Sequence, residues 1–159
     1  MLGIVLVGHN DLAESMKSVA EHVVGPLPDV ACVSVNPMDD IEEKRQEIAK
    51  KINQVDKGKG VVLLTDMFGG TPSNLAISLM QEGQVEVISG MNIPMIVKLV
   101  RMRKKKLMDA VQQSSESGQH YIMVASQFLG KKNDIDFSKK EFEYKEDDYI
   151  TEYYKSISK

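Results

Sequence analysis

A strand-like apolar run followed by a helix-spaced one recurs along this chain, and that alternation leaves few folds open. Leu2 to Val7 is continuously apolar and closes on Gly8, the pattern of a strand covered on both faces of a parallel sheet. Leu12, Met16, Val19 and Val23 then recur three and four residues apart until Gly25-Pro26, with Asn10 or Asp11 available as a cap. A second unit follows: Ala31 to Val35 as the strand, Asp39 or Asp40 as the cap, and Ile41, Ile48, Ile52 and Val55 on one helical face. Gly60 to Asp66 forms a third strand, after which Thr71 offers a capping hydroxyl and Pro72 opens a helix predicted to reach about Gln81.

Val85 to Gly90 makes a fourth strand, and Pro94 opens a helix carrying Met95, Ile96, Leu99 and Met102. The basic run Arg101 to Lys106 is assigned to a solvated helix face, with Leu107, Met108 and Val111 continuing an apolar stripe towards Gly118. His120 then starts a last short strand over Tyr121 to Ala125. Such alternation predicts an α/β fold: a doubly wound, mostly parallel open sheet with right-handed crossovers and helices on both faces.

At 159 residues the chain has room for one ordinary domain. Its 42% hydrophobic and 27% charged residues are globular values. A net charge of −3 provides no positive field for a phosphate backbone, so nucleic acid is not an expected partner. The lone Cys32, inside Val30-Ala31-Cys32-Val33, excludes an intramolecular disulfide and reads as a buried, inert thiol of cytoplasmic type. The apolar N-terminus is too short to span a bilayer and lacks the basic residues of a signal peptide, so no membrane insertion is expected.

Ligands of open α/β sheets bind beyond the carboxyl ends of the strands. Three loops fall there: Gly8 to Asp11, Asp66 to Ser73 and Gly90 to Pro94. His9, directly after a buried strand, is either a structural histidine or a nucleophile. Asp66, at the end of a neighbouring strand, either caps a turn or accepts a hydrogen bond from one imidazole nitrogen, which would leave the other free to attack. Gly69 and Gly70 let backbone approach an anion, and the Thr71-Pro72 helix start presents free N–H groups to it.

Met67, Phe68 and Met91 sit in these loops and are assigned to an apolar docking rim; Met80, Met95, Met102, Met108 and Met123 are assigned to the core. No nucleotide-binding glycine motif or serine-nucleophile elbow occurs, and His22 and His120 have no metal-ligand spacing to His9 or Cys32. No cofactor and no metal are expected.

The histidine after the first strand, Asp-Met-Phe-Gly-Gly-Thr-Pro-Ser-Asn at 66–74 and Gly-Met-Asn-Ile-Pro-Met at 90–95 together resemble the enzyme IIA component of the mannose/fructose/sorbose branch of the bacterial sugar phosphotransferase system. The resemblance covers roughly residues 1–128. It implies that His9 accepts a phosphoryl group on Nε2 from the histidine-containing phosphocarrier protein and passes it to a IIB component. It further implies that Asp66 orients Nδ1 of His9, while Thr71 and the loop amides of Gly69 and Gly70 contact the phosphoryl oxygens. It implies a homodimer as well, in which the strand near Tyr121 to Ala125 crosses to pair antiparallel with the partner's sheet. Asn10 departs from the family pattern, which commonly has glycine or another small residue after the histidine.

The expected domain is 1–130, followed by a charged, aromatic extension at 131–159. The 29 residues past Gly130 hold seven lysines, eight acidic residues and six of the nine aromatics. Phe142 and Tyr144 alternate as in a strand, and Tyr149, Ile150, Tyr153, Tyr154 and Ile157 form a helical stripe predicted to dock on the body or on a second subunit. The extension is too short for a IIB domain, so the IIB acceptor is expected on a separate chain. Two other readings share parts of this pattern. A receiver domain phosphorylated on Asp66 would need an acidic pair after the first strand and a lysine after the fifth, and neither is present. A regulatory phosphohistidine switch would keep the same fold and the same His9 but bind a partner instead of serving sugar uptake.

Overall fold

The structure, a computed structural model, describes residues 1–126. The extension at 131–159, with its aromatic patterns, lies outside them. Met1–Gln119 forms one compact unit, and a second begins at His120.

The elements run β1 (Gly3–His9), α1 (Leu12–Val24), β2 (Val30–Val35), α2 (Ile41–Val55), β3 (Val61–Thr65), α3 (Thr71–Ile77), β4 (Val85–Ser89), α4 (Ile93–Met102) and α5 (Leu107–His120). The strands form one parallel sheet in the order β2-β1-β3-β4. Successive side chains of β1 go to opposite faces, as strand geometry requires. Ile4 and Leu6 join Ala13 and Ala20 of α1, Ile96 and Leu99 of α4, and Ala110 of α5 on one face. Val5 and Val7 join Ile48, Ile52 and Val55 of α2 and Leu75 of α3 on the other. Continuous apolar runs therefore mark strands sandwiched between two helical layers, and the doubly wound architecture stands.

Caps fix several boundaries. The Asp40 carboxylate accepts the Glu43 N–H at 2.9 Å and starts α2. Asn92 accepts the Met95 N–H at 3.0 Å and starts α4. Asp11 occupies the cap position of α1 without a side-chain bond. Thr71 is not the cap of α3: Gly70 holds that position, Thr71 is the first helical residue, and no side-chain cap bond forms. The same helix stops at Ile77, short of Gln81.

Other expectations are corrected by what lies between the helices. The basic run is not one helix face, because α4 ends at Met102 and Arg103–Lys106 turns the chain into α5. Arg103 is buried, and its Nε donates to the Leu2 carbonyl at 2.8 Å while the Leu2 N–H donates to the Arg103 carbonyl. This guanidinium ties the start of β1 in place instead of meeting water. Ile41, Met80, Met108 and Met123 are exposed, whereas Met95 and Met102 are core; apolar type at roughly helical spacing does not reveal which edge of a stripe turns outward. His120 ends α5, and Tyr121–Ala125 forms no strand. Ile122, Met123 and Val124 are exposed. A strand exists only by pairing, and the edge expected for this one belongs to a second copy of the chain.

Candidate functional site

The chain leaves β1 through α1 towards β2 and leaves β3 through α3 towards β4, in opposite directions, so the sheet order reverses at the β1–β3 boundary. His9 is the last residue of β1, and Asp66 follows the last residue of β3. Register places Val7 beside Thr65, and the two chemical side chains emerge together at the switch point.

Their geometry is close and specific. Nδ1 of His9 lies 2.8 Å from Oδ2 of Asp66, and the His9 backbone N–H donates to the same oxygen at 2.9 Å. Oδ1 accepts the Met67 N–H at 2.8 Å. Partial burial works against a charge on Asp66, but these bonds from His9 and Met67 outweigh it and hold the carboxyl below the usual carboxylate range. A carboxylate has no proton to give, so Nδ1 must carry the hydrogen of the shared contact. In the neutral form of the ring Nε2 is then the atom with the lone pair, and it has no hydrogen-bond partner among the described residues. The His9 side chain is 42% exposed while Asp66 is 10% exposed: the orienting group is sheltered and the reactive one is open.

The loop from Asp66 to Ser73 wraps this pair. A methyl group placed on Gly70 would stand 3.0 Å from Cε1 of His9 and 3.6 Å from Nε2, so the bare backbone at Gly70 borders the free nitrogen. Gly69 adopts φ +84°, a left-handed conformation that favours glycine, with nothing near its Cβ direction. Thr71 is exposed at the helix start. Met67 and Phe68 are exposed, Phe68 by 78%. Met91 does not belong with them. It is 6% exposed and packs into the core on the α1 and α4 face, so the expected docking role is withdrawn; the Gly90 and Met91 N–H groups both donate to the Thr65 carbonyl and turn the chain inward there.

Asn10 has φ 50°, in the left-handed region where asparagine is tolerated and glycine is at ease. Its departure from a small residue thus keeps the backbone geometry. Sequence reasoning missed one group near the site, the hydroxyls of Thr65, Ser73 and Ser89, which contact one another at 2.8 and 3.1 Å. The signal was three short hydroxyl residues falling at the ends of β3 and β4 and in the first turn of α3.

Elsewhere, Cys32 is partly buried, and burial, reinforced by the Glu14 carboxylate, pushes its thiol up to about 11. A cavity of about 580 Å³ along α1, β2 and α2 includes Cys32 but none of the residues around His9. Among the described residues no helix is long and apolar enough to cross a membrane.

Comparison with known proteins agrees with this geometry. The family model described as the PTS system fructose IIA component matches residues 3–116. The fructose-specific EIIA component of the phosphotransferase system of Bacillus subtilis (strain 168) is 24% identical over 133 residues, 82% of this chain and 91% of the relative. The mannose-specific EIIAB component of Escherichia coli (strain K12) is 31% identical over 103 residues, 64% of this chain and 32% of that longer protein. The crystal structure of phosphotransferase system component EIIA from Streptococcus agalactiae shares the fold, with a TM-score of 0.72 and 23% identity over 80% of this chain and 99% of that one. The chain belongs to the IIA components of the mannose/fructose/sorbose family of the phosphotransferase system.

Proposed function

We propose that this chain is a phosphoryl carrier that accepts a phosphoryl group on Nε2 of His9 from the histidine-containing phosphocarrier protein and passes it to a IIB component, working as a homodimer. The observation that carries the proposal is the 2.8 Å contact of Nδ1 with Asp66, which commits one ring nitrogen and aims the other outward. The lone pair of Nε2 attacks phosphorus as the phosphorus–nitrogen bond to the donor imidazole breaks, and the electron pair of that bond returns to the donor ring. Nδ1 keeps its proton throughout, held by the Asp66 carboxylate, which offsets the positive charge that develops on the His9 ring.

Transfer of this kind asks mainly for in-line positioning and charge stabilisation. The Gly69 amide and the Thr71 hydroxyl are assigned to the phosphoryl oxygens, and Gly70, whose N–H turns to the Met67 carbonyl at 3.4 Å, to the close approach of bare backbone. Met67 and Phe68 are assigned to partner docking, where an exposed aromatic can anchor a protein surface. The open setting of His9 suits a protein substrate, since two imidazoles must meet across an interface.

The test is labelling with phosphoenolpyruvate in the presence of the upstream phosphotransferase proteins. His9→Ala is expected to abolish an acid-labile label, whereas His22→Ala and His120→Ala retain it. Label persisting in His9→Ala would sink the proposal, and label that cannot be discharged to any IIB protein would remove the carrier role.

A further inference from the structure

We propose that Ser89 is a positioning residue for phosphoryl transfer: its hydroxyl bridges Thr65 and Ser73, closes the base of the loop that carries Asp66, Gly70 and Thr71, and so fixes that loop against His9. The inference rests on the reading of His9 as the phosphoryl acceptor. Thr65 immediately precedes the loop and Ser73 immediately follows Pro72 at its far end; both are fully buried. Ser89, at the end of β4, reaches both, at 2.8 Å to Thr65 Oγ1 and 3.1 Å to Ser73 Oγ.

Both ends of the loop are held by the fold, but by different means. Thr65 lies in β3, and its carbonyl accepts the Gly90 and Met91 N–H groups at 2.9 Å each. Ser73 lies in the first turn of α3, a helix of seven residues capped by a glycine with no side-chain bond. The remaining side-chain tie at that end runs from Asn74 to the Gly69 carbonyl at 3.3 Å, within the loop itself. With Leu75 and Ala76 packing the body of α3 on the core, the Ser73–Ser89 bond is the polar tie that aligns its first turn with the strand ends. Gly70 and Thr71 move with that turn, and Gly70 is the residue bordering Cε1 and Nε2 of His9. A hydroxyl at position 89 can donate to one neighbour while accepting from the other; a methyl group can do neither.

If the three hydroxyls merely satisfied one another in the interior, losing Ser89 would lower stability and leave transfer by the folded protein alone. Initial rates of phosphoryl transfer from the phosphorylated carrier protein, measured against carrier concentration, separate the two. Ser89→Ala is expected to lower kcat by roughly tenfold or more, within the ~10²-fold that a misplacement of about 1 Å can cost, with KM for the carrier unchanged because the exposed docking residues are untouched. Ser89→Thr, which keeps the hydroxyl, restores most of the rate. Ser73→Ala, which leaves the Thr65–Ser89 contact intact, lowers kcat in the same direction and decides the matter if Ser89→Ala does not fold. Folded Ser89→Ala or Ser73→Ala with wild-type kcat overturns the inference, while a wild-type protein that takes no label overturns the phosphocarrier reading beneath it.

Discussion

Two neighbouring glycines should give opposite phenotypes when each is replaced by alanine. Gly70 has φ −75° and ψ 167°, a conformation open to any residue, so Gly70→Ala loses no left-handed backbone freedom. At a helix cap the exchange costs about 1 kcal/mol or less. Its new methyl group, however, meets Cε1 of His9 at 3.0 Å and stands 3.6 Å from Nε2. The ring must yield by a few tenths of an ångström to relieve the contact, and it pivots on an Nδ1–Asp66 bond of 2.8 Å, so the displacement falls on Nε2. Misaligned in-line attack is expected to slow transfer by roughly 10- to 10²-fold, or about 1.4–2.7 kcal/mol of barrier.

Gly69→Ala works the other way. At φ +84° an alanine costs about 1–2 kcal/mol, yet its methyl group would have no heavy atom within 4 Å and so cannot touch His9. Its melting temperature should fall by roughly 2–8 °C, at about 2–4 °C per kcal/mol for a chain of this size, while the folded protein transfers at close to the wild-type rate. Thermal melts and initial transfer rates on the same preparations give both readings. Wild-type transfer by a folded Gly70→Ala protein would refute the steric argument, and parallel losses of rate in both variants would show that the loop deforms as one body.

The two apolar loop residues that the structure separates should separate in solution. Met91→Ala removes buried core and should cost about 2–5 kcal/mol by urea titration, whereas Phe68→Ala leaves stability near wild type and raises KM for the carrier protein; equal effects on stability would contradict the assignment. Asp66 gives a pH signature. Its carboxyl is held below the ordinary value of about 3.9, so its contribution to stability is fully present above that value and fades as pH falls through the depressed folded one. Stability of wild type minus that of Asp66→Asn should therefore shrink on acidification below about pH 4, and a difference constant from neutral pH to pH 2 would refute the ionised pair.

How much of this was legible in the sequence depended on the range of the interaction concerned. The strands were legible because a residue such as Leu6 or Leu64 is buried whichever face it takes, and continuous apolarity records that directly. The pair His9 and Asp66 was legible because strand ends in a parallel sheet gather at one edge. Ile41 and Met108 turned outward because apolar spacing identifies a stripe but not its limits. Met91 went inward because a backbone turn bonded to the Thr65 carbonyl redirected it, and that bond spans 26 positions in sequence. Arg103 was misread for the same reason: its partner, the Leu2 carbonyl, lies 101 residues away. The strand expected at Tyr121–Ala125 was misread because apolar type alone supplies no paired neighbour, and Ile122, Met123 and Val124 stand exposed.

The strand order accounts for why a small site suffices. Because β1 and β3 are neighbours whose following helices, α1 and α3, pack on opposite faces of the sheet, a side chain at the carboxyl end of their boundary meets solvent without leaving the scaffold. His9 uses that position from a strand whose other residues are buried, so its backbone is held while its ring is exposed. Asp66 adds a second constraint, because one carboxylate oxygen binds both the backbone N–H and Nδ1 of the same residue. Ring rotation that broke the Nδ1 bond would leave the backbone bond to hold the carboxylate in place, ready to recapture the ring. A carrier that meets one protein and then another has to present the same nitrogen in the same direction each time, and here that constancy comes from two strand ends and one carboxylate.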